Sequence, residues 1–522
     1  MAPMDRPARH LWLTLVFLGA CGGAEQVEAI CNDEIDDDGD GQIDCDDADC
    51  TGTRACGDDT DVVETDTDTD PVDSDTDVPF PQTSVKKARA LLSGSVADGR
   101  VGFATAGGAD LTGDGKDDLL LGAYGFDPNG AVYVVAGPVA ADATLDATPT
   151  IAGLKELDEL GSAVAIADVT GDGKPDAILG AHGAKSNAGI VYVLPGPLGA
   201  TIDLTTAIEL RGEVGGDYAG DTLAVIPDVS GDGVAELLIG AYGNDAGSTD
   251  AGAAYLVTSP ITTTLSLKGL EQGSKFTGEK PGDKAGQDVA SAGDVDGDGS
   301  SDLLIGAYKS DQDGLDVGAA YLIYTPTGDV RLGSADFILT GEIDTQFVGH
   351  TVAPAGDLND DGYDDFAIGA YGATREGTES GSVYLWAGAA VQRLGKDQAD
   401  RGFAEITGKR PFDRCGTAVA PLGDIDGDNI PDLAIGVFGW DVDLSDQGAV
   451  FFVSAPVSGV LNLGEAGHAS WVGETQDQGI GHEVGLAGDL TGDGVEDFFL
   501  GTWRESTTAS NAGGVYIVPG VK

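Results

Sequence analysis

Short apolar runs separated by polar, glycine-rich turns dominate the chain from residue 88 onward. In one repeat of this pattern, apolar positions predict strands at Thr351–Ala355, Asp365–Ala370 and Ser382–Trp386, and a fourth strand type at Phe337–Thr340, before Gly341. Helical periodicity is not sustained in this region. The pattern therefore predicts an all-β fold.

An acidic loop recurs seven times between the first and second strand types. Its copies start at Asp110, Asp168, Asp228, Asp294, Asp357, Asp424 and Asp489. A glycine follows each start by twelve residues, at Gly122, Gly180, Gly240, Gly306, Gly369, Gly436 and Gly501. A glycine pair spaced by eight precedes each loop, at Gly94/Gly102, Gly153/Gly161, Gly212/Gly220, Gly278/Gly286, Gly341/Gly349, Gly408/Gly416 and Gly473/Gly481. Seven units of four short antiparallel strands predict a seven-bladed β-propeller.

The two ends of this region are complementary. Ala88–Gly94 reads as a fourth-type strand without a blade, whereas the chain stops at the third-type strand Val515–Val518. We expect the N-terminal strand to complete the last blade and close the ring, which would cover an exposed sheet edge.

Each acidic loop predicts a calcium site. Side-chain oxygens at positions 1, 3, 5 and 9, a backbone carbonyl at position 7 and a glycine at the bend match the oxygen-rich coordination of Ca²⁺. The predicted ligand positions are Asp110, Thr112, Asp114, Lys116 and Asp118; Asp168, Thr170, Asp172, Lys174 and Asp176; Asp228, Ser230, Asp232, Val234 and Glu236; Asp294, Asp296, Asp298, Ser300 and Asp302; Asp357, Asn359, Asp361, Tyr363 and Asp365; Asp424, Asp426, Asp428, Ile430 and Asp432; and Asp489, Thr491, Asp493, Val495 and Asp497.

Ligand charge predicts a ranking of these sites. The fourth loop has carboxylates at positions 1, 3, 5 and 9 and should bind most tightly, whereas the third should be weakest. The sixth has equal charge but Asn429 at the bend. The alternative is a set of acidic turns without metal, which mutual repulsion of the carboxylates disfavours.

The N-terminus predicts export. Residues 1–20 combine basic residues with the apolar run Leu11–Leu18, which is too short to span a bilayer. Leu18-Gly19-Ala20-Cys21 resembles the lipobox of bacterial lipoproteins, which implies a lipid on Cys21 and an outer-membrane or surface location. Ordinary cleavage near Ala20 with a free Cys21 is the alternative.

Residues 21–57 form an acidic, cysteine-rich module. Asp36, Asp38, Asp40, Gln42, Asp44 and Asp47 occupy the ligand positions of an EF-hand-like loop. The segment resembles a short metal-binding repeat of bacterial surface proteins, and one further Ca²⁺ is expected there. Disulfides among Cys31, Cys45, Cys50 and Cys56 fit an oxidising compartment, with their connectivity open. A zinc site on the four thiolates and an acidic disordered spacer are the alternatives.

Charge separates the remaining segments and limits the partners. Residues 58–85 are rich in Asp and Thr with few apolar residues, which predicts a disordered linker before the propeller at 86–522. The formal charge of the 522-residue chain is −62, with 89 acidic and 27 basic residues, which argues against nucleic-acid binding. We expect a monomer.

The repeats resemble FG-GAP repeats, the units of the integrin α-subunit propeller. Gly122-Ala-Tyr124, Gly240-Ala-Tyr242, Gly306-Ala-Tyr308 and Gly369-Ala-Tyr371 stand where that family has Gly-Ala-Pro. The resemblance implies Ca²⁺ on one face of the propeller and partner binding on the other. All seven units carry an acidic loop, whereas integrins have only a few, which is similar to bacterial members of the family.

Residues that depart from the repeat suggest a partner surface. These are the basic and aromatic residues Arg375, Lys409, Arg410, Phe412, Arg414, Trp440 and Arg504. Aromatic residues two positions after the repeat glycine could form a sugar-stacking ring, but their repetition favours packing between blades. Cys415 is expected to be a buried thiol.

No catalytic residues are predicted, because the sequence has no Gly-x-Ser-x-Gly, HExxH or P-loop motif. We therefore expect a non-enzymatic adhesion or binding module at the cell surface, with a protein or glycan partner. The alternatives are a lectin, which would depend on Trp440 and Trp503, and a hydrolase or lyase acting in the central channel. Repeat-breaking His, Glu or Arg residues on the inner strands would favour the enzyme, and none is expected there.

Overall fold

The computed structural model describes residues 82–126, 128–145, 150–199, 201–324, 326, 328–391, 395–442, 444–464 and 469–520. These residues form seven sheets, each built on four antiparallel strands. The first strands of neighbouring sheets contact one another all the way round, from the first sheet to the seventh and back to the first. The predicted seven-bladed propeller is confirmed. Blades one to seven are numbered below by the acidic loops that they carry.

The strands of each type have similar lengths and positions in the repeat. The first strands are Thr105–Ala109, Leu160–Ala167, Leu223–Ile226, Val289–Gly293, Thr351–Gly356, Cys415–Gly423 and Glu483–Gly488. The second strands are Asp118–Ala123, Asp176–Ala181, Glu236–Ala241, Asp302–Ala307, Asp365–Ala370, Asp432–Val437 and Asp497–Thr502. The third strands are Ala131–Ala136, Ile190–Leu194, Ala253–Val257, Ala319–Ile323, Ser382–Trp386, Ala449–Val453 and Gly514–Val518. The fourth strands, from blade one to blade seven, are Thr150–Ala152, Ile208–Arg211, Gly273–Thr277, Phe337–Thr340, Ala404–Thr407, Ala469–Val472 and Ala90–Ser93.

The N-terminal strand closes the ring, as predicted. Ala90–Ser93 pairs antiparallel with Gly514–Ile517 as the fourth strand of blade seven. Its Leu92 is buried in a cluster with Leu119 and Leu121 of blade one and Val515 of blade seven. The last blade is therefore built from both ends of the propeller region.

A short fifth strand, which the sequence analysis did not predict, runs parallel to the fourth strand of six blades. In each case it comes from the segment that precedes the fourth strand of the following blade. These strands are Gln82–Ser84 on blade six, Ala143–Thr144 on blade seven, Leu265–Ser266 on blade two, Val330–Arg331 on blade three, Lys396–Gln398 on blade four and Gly459–Asn462 on blade five. Residues 82–84, which the sequence analysis placed in the linker, are thus part of a blade.

Helical segments are short. A four-residue turn of α-helix lies at Gly388–Val391, and 3₁₀ turns lie at Val85–Lys87, Leu204–Thr206, Leu332–Ser334 and Ala399–Arg401. Ala184–Asn187 forms a turn in which Lys185, Ser186 and Asn187 have left-handed backbone, with φ values of +56°, +63° and +66°. Three of these 3₁₀ turns directly follow a fifth strand. They redirect the chain from the edge of one blade into the fourth strand of the next.

The glycine twelve residues after each loop start packs against the second glycine of the pair in the next blade, which explains why both positions are glycine. A Cβ added to Gly122 would lie 2.3 Å from the carbonyl oxygen of Gly161 on the next blade, and Gly161 has a φ of +90°. The same contact recurs between Gly180 and Gly220, Gly240 and Gly286, Gly306 and Gly349, Gly369 and Gly416, Gly436 and Gly481, and Gly501 and Gly102. The last pair joins blade seven to blade one. Side chains at these positions would push neighbouring blades apart.

The core lies between the blades. Every second strand is buried along its whole length, because its two faces pack against adjacent sheets. This position explains why the second strands read as continuous apolar runs rather than alternating ones. Each second strand begins at the acidic loop and ends at the opposite face of the propeller. It therefore fixes the positions of the acidic loop and of the loop on the opposite face.

Candidate metal centres and the opposite face

The acidic loops fold around their first carboxylate. In blade two, the Asp168 carboxylate accepts hydrogen bonds from the backbone N–H groups of Gly171, Asp172 and Gly173, at 2.7, 3.2 and 2.8 Å. Gly171 and Gly173 have φ values of +74° and +82°, which the tight turn requires. In blade six, Asn429 takes the second of these left-handed positions, with φ +70°. Asparagine tolerates this backbone, so the loop retains its shape.

The loop geometry is the same in all seven blades at positions 5 and 7. The backbone N–H of position 7 donates to the carboxylate of position 5, over 2.8 to 3.1 Å. The residues at position 7 are Lys116, Lys174, Val234, Ser300, Tyr363, Ile430 and Val495. These side chains range from Lys to Val, Ser, Tyr and Ile, so position 7 serves the loop through its backbone.

Four loops bring three acidic side chains together. In each, one ligand oxygen per residue lies within 4.8 Å of the others. The groups are Asp168, Asp172 and Asp176; Asp228, Asp232 and Glu236; Asp294, Asp296 and Asp302; and Asp424, Asp426 and Asp432. In blades four and six the position-3 carboxylate joins the group rather than Asp298 or Asp428. Among the described residues, blades one, five and seven do not form such a group.

The ninth position of every loop is a fully buried carboxylate at the start of the second strand. In blade five, Asp365 accepts hydrogen bonds from the backbone N–H of Leu358 at 3.0 Å and of Gly388 at 3.2 Å. Burial raises the pKa of Asp365 to about 7, and Asp361 and Asp357 add to the shift. Burial also raises the pKa of Asp118, Asp176, Asp432 and Asp497.

The residues fit a divalent cation. In blade four, Oδ1 of Asp294 is buried and has no hydrogen-bond partner within the described part of the chain. In blade two, no described Lys or Arg forms an ion pair with Asp168, Asp172 or Asp176. Grouped carboxylates without a counter-cation are costly, and a hard cation with oxygen ligands removes that cost. The predicted N-terminal ligands from Asp36 to Asp47, and Cys21, lie outside the described residues.

The face opposite the acidic loops carries the aromatic residues that follow the repeat glycines. Tyr124 of blade one lies 6.3 Å from His182 of blade two, measured between ring centroids. Tyr218 stacks on Tyr242 at 4.9 Å, and Phe347 stacks on Tyr371 at 5.0 Å. These rings pack against each other within and between blades. The sequence analysis favoured packing between blades, because the aromatic residues recur in the repeat.

His182, the exception among these aromatic residues, is held between two carboxylates. Its Nδ1 lies 2.5 Å from Asp221 Oδ1 and its Nε2 lies 2.6 Å from Glu159 Oε2. Burial lowers the pKa of His182, but the hydrogen bonds with Asp221 and Glu159 raise it to about 9. A charged imidazole therefore joins blade two to the loop that enters blade three.

The predicted partner surface is only partly assembled. Lys409, Arg410 and Phe412 are exposed in one loop that also contains Arg414, whereas Arg375 lies in the loop after the second strand of blade five. Arg375 pairs with Glu405, and Arg414 pairs with Glu379 at 2.9 Å. Arg504 lies over the rings of Phe438 and Trp503, 4.8 and 4.7 Å from their centroids.

Trp440 does not belong to this surface, and its assignment as a surface residue is wrong. It is only 4% exposed and packs edge-on against Phe451 at 4.9 Å. A lectin site that stacks a sugar on Trp440 is therefore not available in this structure. Cys415 is a buried free thiol whose pKa is raised by burial, as expected.

Exposed apolar side chains concentrate on this opposite face, which the sequence analysis missed. Among the described residues, eight of the nine large hydrophobic side chains that are exposed lie in loops before the first strand or after the second: Leu154, Leu157, Val214, Leu315, Ile343, Phe412, Val442 and Leu444. The ninth, Val460, is in a fifth strand. A comparison of equivalent loop positions between repeats could have found part of this signal.

The inner strands also carry residues that the sequence analysis did not expect. Glu483 starts the first strand of blade seven, and Asp288, His350 and His482 precede first strands. Asp288 accepts a hydrogen bond from Val352 N of the next blade at 2.8 Å. The expectation of no His or Glu at the inner strands is therefore wrong.

Burial raises the pKa of Glu483 to about 8 and that of Asp288 to about 7, although solvent reaches both residues partly. The Glu483 carboxyl accepts a hydrogen bond from the backbone of Thr105, on the following blade. Both carboxyls thus connect neighbouring blades.

Known proteins share this repeat. The family model for the FG-GAP repeat matches residues 101–135, 160–194, 219–257 and 348–386, which are the cores of blades one, two, three and five. The chain contains FG-GAP repeats. The glycine contacts and acidic loops of these four FG-GAP units recur in blades four, six and seven.

Curated relatives of this FG-GAP propeller are integrin α chains. Integrin alpha-PS2 of Drosophila melanogaster is 35% identical over 193 residues, which cover 35% of this chain and 13% of the relative. Human integrin alpha-IIb is 31% identical over 198 residues, which cover 36% of this chain and 18% of the relative. The chain thus spans less than a fifth of the length of these relatives.

Among solved structures, a crystal structure of BBS1N in complex with ARL6DN matches 82% of this chain and 94% of that one, with a TM-score of 0.42 and 11% sequence identity. Within the described ranges of the FG-GAP propeller, no helix is long and apolar enough to cross a membrane.

Proposed function

We propose that this chain is a calcium-stabilised FG-GAP propeller that acts as a non-enzymatic binding or adhesion module at the cell surface. Its partner is a protein or a glycan, and the binding face is the one opposite the acidic loops. The observation that carries this proposal is the placement of eight of nine exposed large apolar side chains on that face. The exposed apolar side chains are gathered on one face, which favours that face as the interaction site.

Calcium has a structural role in this proposal. The loops recur in every blade with the same backbone bonds, which suits a scaffold element better than a single ligand site. Hard carboxylate oxygens favour Ca²⁺, Mg²⁺ or Mn²⁺ over softer metals. About seven Ca²⁺ in the propeller would offset part of its negative charge.

Residues 1–57 supply the surface anchor. We propose cleavage after residue 20, a lipid on Cys21, a metal-binding module at 21–57 and a linker that starts at residue 58 and leads to the propeller, which begins at the strand Gln82–Ser84. Labelling of cells with a radioactive fatty acid tests the anchor. Wild-type protein should incorporate the label and Cys21→Ser should not, and equal labelling would refute lipidation.

The binding face is tested by capture and footprinting. The full chain, immobilised in Ca²⁺ buffer, is exposed to the envelope fraction, and the retained partner is then purified. Hydrogen–deuterium exchange of the complex should show new protection in the loops around Phe412, Val442 and Ile343. Protection confined to the acidic loops would contradict the proposal.

A second candidate function is acid–base chemistry in the central channel, as in some propeller hydrolases and lyases. Glu483, Asp288, His350 and His482 favour it, because they break the repeat at the inner strands. The interblade hydrogen bonds of Glu483 and Asp288 favour a structural role instead. Turnover of glycoside or ester substrates that is abolished by Glu483→Gln would support the enzyme.

A further inference from the structure

The loop Gly408–Gly416 of blade six departs from its counterparts in charge. The residue that follows the first glycine of the pair is Ser95, Leu154, Glu213, Glu279, Glu342, Lys409 or Glu474, from blade one to blade seven. Blade six alone carries a cation there, and Arg410 follows it. A scaffold requirement would act on all seven loops alike, so this difference points to a role specific to blade six.

Two of the three cations in this loop, Lys409 and Arg410, form no ion pair within the described ranges, whereas Arg414 pairs with Glu379. Both Lys409 and Arg410 are exposed. The Lys409 ammonium donates to the carbonyl of Gly464 at 3.3 Å, and Arg410 donates to the carbonyl of Asp441 at 2.6 Å. The Arg410 guanidinium lies over the buried Trp440 ring, 5.8 Å from its centroid. The positive charge is therefore held in place at the surface.

Phe412 is exposed and has a left-handed backbone, although phenylalanine side chains prefer burial and bulky residues prefer negative φ values. Its side chain is 51% exposed, and its backbone has a φ of +70°. Bulky residues rarely adopt this left-handed conformation, which asparagine, aspartate and glycine tolerate. The equivalent position is Asp98, Leu157, Gly216, Gly282, Thr345 or Asp477 in the other six blades, so blade six alone places an aromatic side chain there. About half of this aromatic side chain is left exposed by the folded chain, which suggests that a partner covers it.

Val442 and Leu444 extend this apolar surface. Both are 43% exposed, and Asp441, next to Val442, is the residue that Arg410 contacts. The two side chains also line a cavity of about 240 Å³ together with Ser84, Gln447, Val472 and Glu474. This recess offers a place for an apolar side chain of a partner that contacts Val442 and Leu444.

We propose that Lys409, Arg410, Phe412, Val442 and Leu444, here called the blade-six patch, dock a protein segment in which apolar side chains are flanked by carboxylates. Charge complementarity selects this partner, because the patch is cationic in a chain of formal charge −62. The inference rests on the proposed function, in that it names the place and the partner chemistry on the binding face.

The test uses three labelled peptides with the full chain in Ca²⁺ buffer, followed by fluorescence anisotropy. The first has a Leu-Phe core with Asp residues on both sides, the second has Lys in place of Asp, and the third has Gly-Gly in place of Leu-Phe. The first should bind at least about tenfold more tightly than the other two, a difference of about 1.4 kcal/mol. No binding of the first peptide, or equal binding of the third, would overturn the inference.

Variants locate the site. Lys409→Glu with Arg410→Glu, and separately Phe412→Ser, should each weaken binding at least about tenfold. Arg89→Glu and Val460→Ser are the controls, because both residues are exposed, Arg89 lies at the acidic-loop end of the fourth strand of blade seven, and Val460 lies within a fifth strand. All variants should retain the wild-type thermal midpoint. Unchanged affinity in the blade-six variants would refute the patch.

Two further arms separate this inference from the proposed function and from other partners. If Leu157→Asp impairs capture of the envelope partner and the blade-six variants do not, the binding face stands and the patch is wrong. If neither impairs capture, both proposals fail. Binding to phosphatidylglycerol vesicles in preference to the Asp-flanked peptide would show a membrane site instead, and would overturn the proposed protein partner.

Discussion

Closure of the ring by the N-terminal strand makes a quantitative prediction for Leu92→Ala. Leu92 is 1% exposed, sits opposite Val515 in the ladder and packs on Leu119 and Leu121 of blade one. Removing three buried carbons costs about 2.4 kcal/mol in transfer free energy, at about 0.8 kcal/mol each. The cavity left behind adds to this cost, so we expect a loss of about 3–4 kcal/mol in the free energy of unfolding.

Urea unfolding in saturating Ca²⁺, followed by tryptophan fluorescence, measures this loss. Val460→Ala is the matched control, because Val460 lies in a fifth strand but is 55% exposed. It should change the free energy of unfolding by no more than about 0.5 kcal/mol. If Leu92→Ala unfolds at the same urea concentration as Val460→Ala, the N-terminal strand does not hold the ring closed.

Four further predictions test the loops, the channel and the core. Asp294→Asn should weaken one Ca²⁺ site at least about tenfold in calorimetric titration, whereas Ser300→Ala should not, because position 7 contributes only its carbonyl. The raised pKa of Glu483 means that its ionisation opposes folding, so the free energy of unfolding should fall between pH 4.5 and about 8, by at most about 1.4 kcal/mol per pH unit. Glu483→Gln should flatten that fall in urea titrations across this pH range. An unchanged pH profile in the variant would contradict this prediction. Trp440→Ala should cost about 3–5 kcal/mol, since the ring is buried, and a loss below about 1 kcal/mol would restore it to the surface. Alkylation mapped by mass spectrometry should leave Cys415 unmodified until urea unfolds the chain, and rapid modification of the native protein would show an accessible thiol.

The strands around the loops could be predicted because the repeat specifies them. Asp365–Ala370 and Ser382–Trp386 have the predicted bounds, and Thr351–Gly356 differs by one residue. An apolar run between an aspartate and a glycine defines where a strand of this length begins and ends. Fifth strands such as Leu265–Ser266 escaped prediction, because two residues carry no periodic pattern and their pairing depends on the neighbouring blade.

The prediction of the site failed for residues whose environment depends on burial and on contacts between distant parts of the chain. Trp440 reads as a surface aromatic in a loop, and only its packing on Phe451 from another strand shows that it belongs to the core. Glu483 reads as an ordinary acidic residue between His482 and Val484. Its hydrogen bond from Thr105 exists because ring closure joins residues almost 380 positions apart in the chain. The repeat alone does not encode either relation.

The same repeat explains why the acidic loops are assigned to the scaffold. A loop that appears once in a chain can be a dedicated ligand site, whereas seven loops in equivalent positions support every blade equally. The residues that differ between blades, such as Lys409 and Phe412, lie on the other face. Function is therefore expected to follow the differences and stability to follow the repetition.

Thermal unfolding of the full chain in Ca²⁺ and in chelator tests this account most directly. Each site that is filled at about 100 times its dissociation constant adds about 2.7 kcal/mol to the free energy of unfolding. We therefore predict a midpoint that rises steeply with Ca²⁺ and falls in chelator, with Asp294→Asn showing a smaller rise. The same midpoint in chelator and in saturating Ca²⁺ would contradict the account, because the acidic loops would then not hold the propeller together through metal.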